Sequence, residues 1–216
     1  LCSEESLSAS PAILARTIMV QRLASLVELY VNDAFATAHG AQASIVGLPH
    51  VLPAVAGELM AEELDALKEA YYEPHRPSVY ILGGAKAEDK LPTVENILRT
   101  GKADRVLVGG VVANVFLRAS GVNFGEAENR KLEKSAVLLE KARSILSKYK
   151  EKVLLPKDLA VLQNGERLDL FVAKGIGGIV RDIGKETSNE YAEIIRNSKT
   201  AVSSGPLGVF EEEDFE

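Results

Sequence analysis

The sequence predicts an α/β protein whose parallel sheets carry helices on both faces. Three observations lead there. Short apolar runs, "VYIL" (79–82), "RVLV" (105–108), "VLL" (153–155) and "AVSS" (201–204), alternate with segments that fit helices at 87–99, 113–119, 129–148 and 188–197. Strands alternating with helices in this way argue for a parallel sheet covered on both sides. Three of the strands run straight into glycine turns, Gly83-Gly84, Gly109-Gly110 and "SGPLG" (204–208). In an open α/β sheet such turns share the carboxyl edge, where ligands bind. Finally, "YEPHRPS" (72–78), with its two prolines, reads as a connection between lobes.

Before that connection, Ser10 and Pro11 form an N-cap and first helical position. The helix they open carries Ile13, Ile18 and Leu23 towards a strand at Leu29 to Val31. "GLPHVLP" (47–53) reads as a loop, and 54–71 as a helix with Leu59, Met60, Leu64, Leu67 and Tyr71 on one face.

A net charge of −6 leaves no basic footprint for nucleic acid, although a locally basic cleft for a phosphorylated ligand stays open. The single cysteine, Cys2, can form no internal disulfide, which fits a reducing cytoplasm. The longest apolar stretch, 107–118, is too short to cross a bilayer and contains Asn114. No signal peptide is recognisable. The start at Leu1 and the stop on "EEEDFE" lead us to expect that both ends are cut.

"LGGAKAEDK" (82–90) carries the first chemical signal. Glycines at a strand-to-helix turn let a ligand approach the backbone, and the helix start offers N–H groups and a positive dipole end. Lys86 and Lys90, four apart, stand at that helix start and oppose the dipole unless an anion offsets them. A bound polyphosphate would do so. The competing reading is that the glycines pack helix on strand and the lysines are solvated. The P-loop spacing and G-x-G-x-x-G are both absent. His39, His50 and His75 have no partners at metal spacing, and G-x-S-x-G does not occur. Glu211, directly after "SGPLGVF", is placed to accept hydrogen bonds from a sugar, whereas 213–216 read as a solvated acidic face.

Read together, "LGGAKAEDK" (82–90), "VGGVVANVFLRASG" (108–121) and "SSGPLGVFE" (203–211) resemble phosphoglycerate kinase. "YVNDAFATAHGAQASIVGLP" (30–49), "LPKD" (155–158) and "RDIGKET" (181–187) fall in the family's order, so the resemblance covers nearly the whole chain, with wording closer to archaeal members. It implies two Rossmann-like lobes, incomplete here at both ends. Residues 1–53 would end the phosphoglycerate-binding lobe, 54–73 form the interlobe helix and linker, and 74–216 belong to the nucleotide lobe. The implied reaction is reversible transfer of the 1-phosphoryl group of 1,3-bisphosphoglycerate to Mg-ADP, giving 3-phosphoglycerate and ATP. Implied ligands are therefore ADP or ATP with Mg2+ and the phosphoglycerates, in a cytoplasmic enzyme expected to be a monomer.

By position, Gly84, Ala85 and Lys86 match the family's G-A-K turn, with Lys86 stabilising charge on the migrating phosphoryl group. Lys90 matches the lysine on the inner nucleotide phosphates. Gly109 and Gly110 match the turn beside the adenine. Ser204 stands where the family has asparagine, and Pro206, Gly208, Val209 and Glu211 match the nucleoside pocket, with Glu211 on the ribose. Two departures stand out. Gly40 occupies the position of an arginine that helps bind phosphoglycerate, so no substrate-binding residue is carried over, and Val111 replaces a third glycine. The family's amino-terminal basic cluster and its carboxyl-terminal glycine-rich loop with a magnesium-facing aspartate do not appear, so no metal ligand is assigned. The alternative reading is a nucleotide-binding half-protein or inactive paralogue, which binds Mg-ADP without turnover.

Overall fold

The structure is a computed structural model and describes residues 2–5 and 7–215. Of the acidic tail, Glu216 lies outside the described residues. The chain divides into two compact units, Leu1–Glu69 and Ala70–Glu216.

The first unit holds helices α1 (Cys2–Glu5), α2 (Pro11–Leu14) and α3 (Ile18–Ala24), then strands β1 (Tyr30–Asn32) and β2 (Ala54–Ala56), which pair in parallel. The single helix expected after Ser10 is two, because Thr17 caps a new start by accepting a bond from the Val20 N–H. Ile13, Ile18 and Leu23 stay exposed, while Leu14, Met19 and Val20 form a small core with Ala43 and Leu48. The segment 54–56 is a strand, not the start of a helix: Pro53 C=O accepts from Tyr30 N–H at 2.9 Å and begins the β1–β2 ladder. Helix α4 therefore starts later, spanning Glu58–Tyr72. Its start is held by Asp33, whose carboxylate accepts from Met60 N–H at 2.9 Å. On the expected apolar face only Met60 is buried; Leu59, Leu64 and Leu67 are half exposed.

In the second unit β3 (Ser78–Leu82) opens a helix-covered sheet. It is followed by α5 (Ala87–Arg99), β4 (Arg105–Val108), α6 (Gly110–Ala119), α7 (Glu126–Glu133), α8 (Ala136–Tyr149) and β5 (Val153–Leu154). The one helix expected over 129–148 is thus two, parted at Lys134 and Ser135. Next come β6 (Asp158–Gln163), β7 (Glu166–Phe171) and β8 (Ile179–Ile183), then α9 (Lys185–Arg196) and β9 (Thr200–Ser204). The main sheet runs β5-β4-β3-β9, every pair parallel.

The strands of this sheet alternate between two cores. Tyr80, Leu82, Val106 and Val108 pack with α5, α6 and α8, while Val79, Ile81 and Leu107 pack with Tyr191 of α9 and Ile183. That period of two, apolar on both faces, is what a doubly covered parallel sheet requires. Tyr191 is 2% exposed, and its hydroxyl donates to the carbonyls of Val108 and Leu154 at 3.0 and 2.8 Å. This ties α9 to the sheet and lets a phenol be buried without an orphaned O–H. Burial, chiefly, raises its pKa.

Strands β6, β7 and β8 form a second, antiparallel sheet in the order β7-β6-β8, which the sequence pattern above leaves unassigned. Asn164 and Gly165, both at positive φ (55° and 83°), close the β6–β7 hairpin. A buried hook joins this sheet to α9. The Asp158 carboxylate accepts from the N–H of Glu186 and Thr187 at 3.1 and 2.8 Å and from the Thr187 hydroxyl at 2.5 Å. The "LPKD" and "GKET" segments thus meet, and the start of α9 is already capped by a carboxylate.

Candidate functional site

Because β3, β4 and β9 are parallel, their following turns leave the same edge of the sheet. The glycines there are required by contact. Gly83 N–H donates to Ser204 C=O at 3.1 Å, Gly109 N–H to Leu82 C=O at 3.1 Å, Gly110 N–H to Leu207 C=O at 2.8 Å and Val111 N–H to Gly84 C=O at 3.2 Å. A Cβ on Gly83 would fall 2.1 Å from the Pro206 carbonyl oxygen, and one on Gly109 would fall 2.4 Å from Leu207 Cδ2. Gly84, Gly110 and Gly205 have φ of 100°, 55° and 83°, which side chains rarely adopt. The three turns therefore lock into one floor.

Above that floor opens a cavity of about 290 Å3. Gly84, Ala85, Gly110, Pro206, Gly208, Val209 and Glu211 line it, all singled out from the sequence. Four others do not line it. Gly109 is packed beneath Leu207. Ser204 lies at the end of β9, and its hydroxyl accepts from Lys90 Nζ at 2.5 Å, a link between the first turn of α5 and the end of β9. Lys86 is exposed and occupies the N-cap position of α5, where no side chain caps the helix. That leaves the N–H groups and positive dipole end of the α5 start without a side-chain cap beside the Lys86 ammonium, with Glu88 and Asp89 also in its first turn.

The sequence pattern missed half of the wall. Leu159, Val180, Arg181 and Asp182 reach the cavity from the antiparallel sheet, Asn114 from α6 and Leu207 from the last turn. The Asn164-Gly165 pair between alternating apolar residues was the available hairpin signal. The wall is pinned in place: Val209 N–H donates to Arg181 C=O at 2.9 Å, Arg181 Nη2 sits 3.3 Å from Glu212 Oε1, and Arg167 Nη1 donates to Asp214 C=O at 2.7 Å. Phe215, expected on a solvated face, is buried, with the Arg167 guanidinium 5.2 Å from its ring centre. Burial pushes the Asp182 carboxyl up, against the Ile183 N–H that donates to it at 2.6 Å and the nearby Arg167 charge.

A larger cavity, about 440 Å3, lies at the opposite edge of the main sheet beside Asp104, Arg105, Glu190 and Glu193. It collects no glycine turn and no helix start, so the carboxyl edge is the better candidate for binding an anionic ligand. Gly40 lies in the first unit. Its Cβ position would fall 2.0 Å from Gln42 Oε1, a side-chain atom that is buried without a hydrogen-bond partner. The space where an arginine would begin is thus filled by a neutral amide.

Comparison with known proteins decides the family. A phosphoglycerate kinase family model matches residues 2–216. The chain belongs to the phosphoglycerate kinase family. It is 46% identical to phosphoglycerate kinase 2 of Methanosarcina acetivorans, over 99% of this chain and 52% of that protein. It is 44% identical to the phosphoglycerate kinase of Methanothermus fervidus, with the same coverage of 99% and 52%. The crystal structure of phosphoglycerate kinase from Pyrococcus horikoshii OT3 superposes with a TM-score of 0.88 at 39% identity, covering 99% of this chain and 54% of that one. A phosphoglycerate kinase structure from Coxiella burnetii gives 0.73 at 35% identity, over 93% and 52%. The chain spans about half the length of the curated relatives it matches.

Proposed function

We propose that the carboxyl edge of the second unit binds ADP or ATP with Mg2+, as part of reversible phosphoryl transfer between 1,3-bisphosphoglycerate and ADP. The observation that carries this is the cavity built from three interlocked glycine turns beside an uncapped helix start and two lysines. In this reading the backbone at Gly84 and Ala85 receives the phosphates. Lys90, already fixed on Ser204, grips the inner ones. Lys86 stabilises charge on the migrating group. Pro206, Gly208 and Val209 wall the nucleoside, Gly109 and Gly110 underlie the base, and Glu211 accepts from the ribose hydroxyls. In the forward direction the acyl phosphate's P–O bond breaks, a bond forms to a β-phosphate oxygen of ADP, and 3-phosphoglycerate leaves as a carboxylate. Positioned donors and cations are the usual means of catalysing such a transfer.

Among the described residues no group of three or more His, Cys, Asp or Glu could hold a metal. We therefore treat Mg2+ as entering on the nucleotide's phosphates and derive no step through it. We assign residues 1–57, which include β2, to the phosphoglycerate lobe, 58–73, begun by α4, to the interlobe helix and linker, and 74–216 to the nucleotide lobe, in a cytoplasmic monomer. No helix among the described residues is long and apolar enough to cross a membrane.

Gly40, with the Gln42 amide in its place, favours a second reading: nucleotide binding without turnover. A coupled ATP-forming assay beside an ADP-dependent melting shift separates the two. ADP stabilisation with ATP formation supports the kinase, ADP stabilisation alone supports the half-protein, and no ADP effect rejects both.

A further inference from the structure

Four consecutive acids, Glu211 to Asp214, follow the last glycine turn, and like charges so close repel one another. Glu211 lines the cavity and makes no hydrogen bond or ion pair among the described residues, so its carboxylate is free for a ligand. The segment that carries it is held on either side by an arginine of the antiparallel sheet. On one side the β6–β8 ladder is irregular: Asp182 pairs with Ala160 and Val180 with Val161, which leaves Arg181 between them without a ladder partner. Its C=O is taken instead by the Val209 N–H at 2.9 Å, and its guanidinium by Glu212. On the other side Arg167 Nη1 donates to Asp214 C=O at 2.7 Å, while its guanidinium lies 5.2 Å from the ring centre of the buried Phe215. Arg167 is itself held. Asp169, two residues on and so on the same face of β7, brings Oδ1 to 3.5 Å from Arg167 Nε, and its Oδ2 accepts from the Lys185 N–H of α9 at 3.0 Å.

We propose that Arg167 is a positioning residue: by clamping Asp214 and Phe215 it holds the Glu211 carboxylate ready for the ligand without touching the ligand itself. This rests on the nucleotide reading above, in which Glu211 accepts from the ribose hydroxyls. Arg167 does not line the cavity, so whatever it contributes to binding passes through the 211–215 segment. Arg181 does line it, and its removal would change the wall directly. Arginine suits the task because one planar fork serves three partners at once: a carbonyl, a carboxylate and the face of a ring. The point charge of a lysine cannot do so. The gain is pre-organisation. A carboxylate on a loose acidic segment loses backbone and side-chain freedom when it meets a ligand, whereas one on a segment already clamped has little left to lose.

The test is a double-mutant cycle on the full chain, read by calorimetric titration with Mg-ADP and with Mg-2′-deoxy-ADP at a temperature well below every melt. It compares the parent, Arg167→Ala, Glu211→Ala and the double variant, with Arg167→Lys alongside. The parent should prefer ADP over 2′-deoxy-ADP by about fivefold or more. Arg167→Ala should weaken ADP binding by about five- to tenfold and reduce that preference to within about twofold. In the Glu211→Ala background the same substitution should change ADP affinity by less than about twofold, because the group it positions is gone. Arg167→Lys, which keeps the charge but not the fork, should behave like Arg167→Ala. A merely structural role would lower the melting temperature and leave the ADP to 2′-deoxy-ADP ratio unmoved. An absent preference in the parent, an unchanged ratio in the variants, equal losses in both backgrounds or rescue by lysine overturns the inference and leaves the nucleotide reading intact. Should Arg167→Ala fail to fold, Arg167→Lys takes its place in the cycle, and failure of both to fold overturns the inference in favour of a structural role. A parent that binds neither nucleotide overturns both readings.

Discussion

Gly83→Ala is the sharpest probe of how the site is held. The new Cβ would lie 2.1 Å from the Pro206 carbonyl oxygen and 3.2 Å from that of Gly205, both backbone atoms that no rotamer change can move. Relieving the contact requires the 205–208 turn to retreat by about 1 Å, enough to forfeit most of the local dispersion contact. That movement strains the Gly83 N–H to Ser204 C=O bond at 3.1 Å and the Gly110 N–H to Leu207 C=O bond at 2.8 Å. Overpacking of this kind costs roughly 1–3 kcal/mol, and each lost bond about 0.5–1.5 kcal/mol. The expected total is about 3–4 kcal/mol, or a fall of about 10 °C in melting temperature. Gly101→Ala is the control: at φ 67° with nothing within 4 Å, it bears left-handed strain alone, about 1–2 kcal/mol. The chain has no tryptophan, so near-ultraviolet circular dichroism of its tyrosines, with Tyr80 and Tyr191 buried in the second unit, reports the melt. ADP affinity should fall more than tenfold in Gly83→Ala and stay unchanged in Gly101→Ala. Equal melting of the two variants would refute the claim that the turns interlock.

Three further outcomes are expected. Lys86→Ala should lower turnover by about 100- to 1000-fold while ADP affinity moves by less than about threefold; comparable losses in kcat and affinity would remove the transition-state role. Asp182→Asn should melt higher than the parent at pH 7. The folded carboxyl has its pKa raised above the ordinary 3.8, so its ionisation weakens the native state as pH rises through the folded value, and the advantage of the neutral amide should vanish in melts below about pH 3.8. Thr187→Val should cost about 2–3 kcal/mol in urea unfolding, because the buried Asp158 carboxylate loses the hydroxyl donor at 2.5 Å and the Lys157 N–H loses its acceptor at 2.9 Å; a cost below about 0.5 kcal/mol would show that the hook is not what holds α9.

What was legible in the chain follows from the range of the forces that encode it. The strand-to-glycine turns at 83, 109 and 205 announce themselves in the sequence, since positive φ at Gly84, Gly110 and Gly205 and close approach at Gly83 and Gly109 both call for glycine. Parallel pairing then brings them to one edge without further information. The opposite wall is different. Leu159, Val180 and Arg181 reach the cavity from a sheet whose three strands are neighbours in the chain, at 158–163, 166–171 and 179–183, but only the Asn164-Gly165 turn marks it in the sequence. The start of α4 lies later than the sequence pattern places it, because a proline-bounded alanine-valine segment favours neither state locally and its pairing with Tyr30–Asn32 decides for strand. Asn114 was the least legible of all. Inside "VVANVFL" it reads as a tolerated polar residue on a buried helix, and only in three dimensions does its Oδ1 show as buried without a partner among the described residues. A buried side-chain atom without a partner leaves no local pattern in the sequence. Unmet bonds are visible only once every internal partner has been placed.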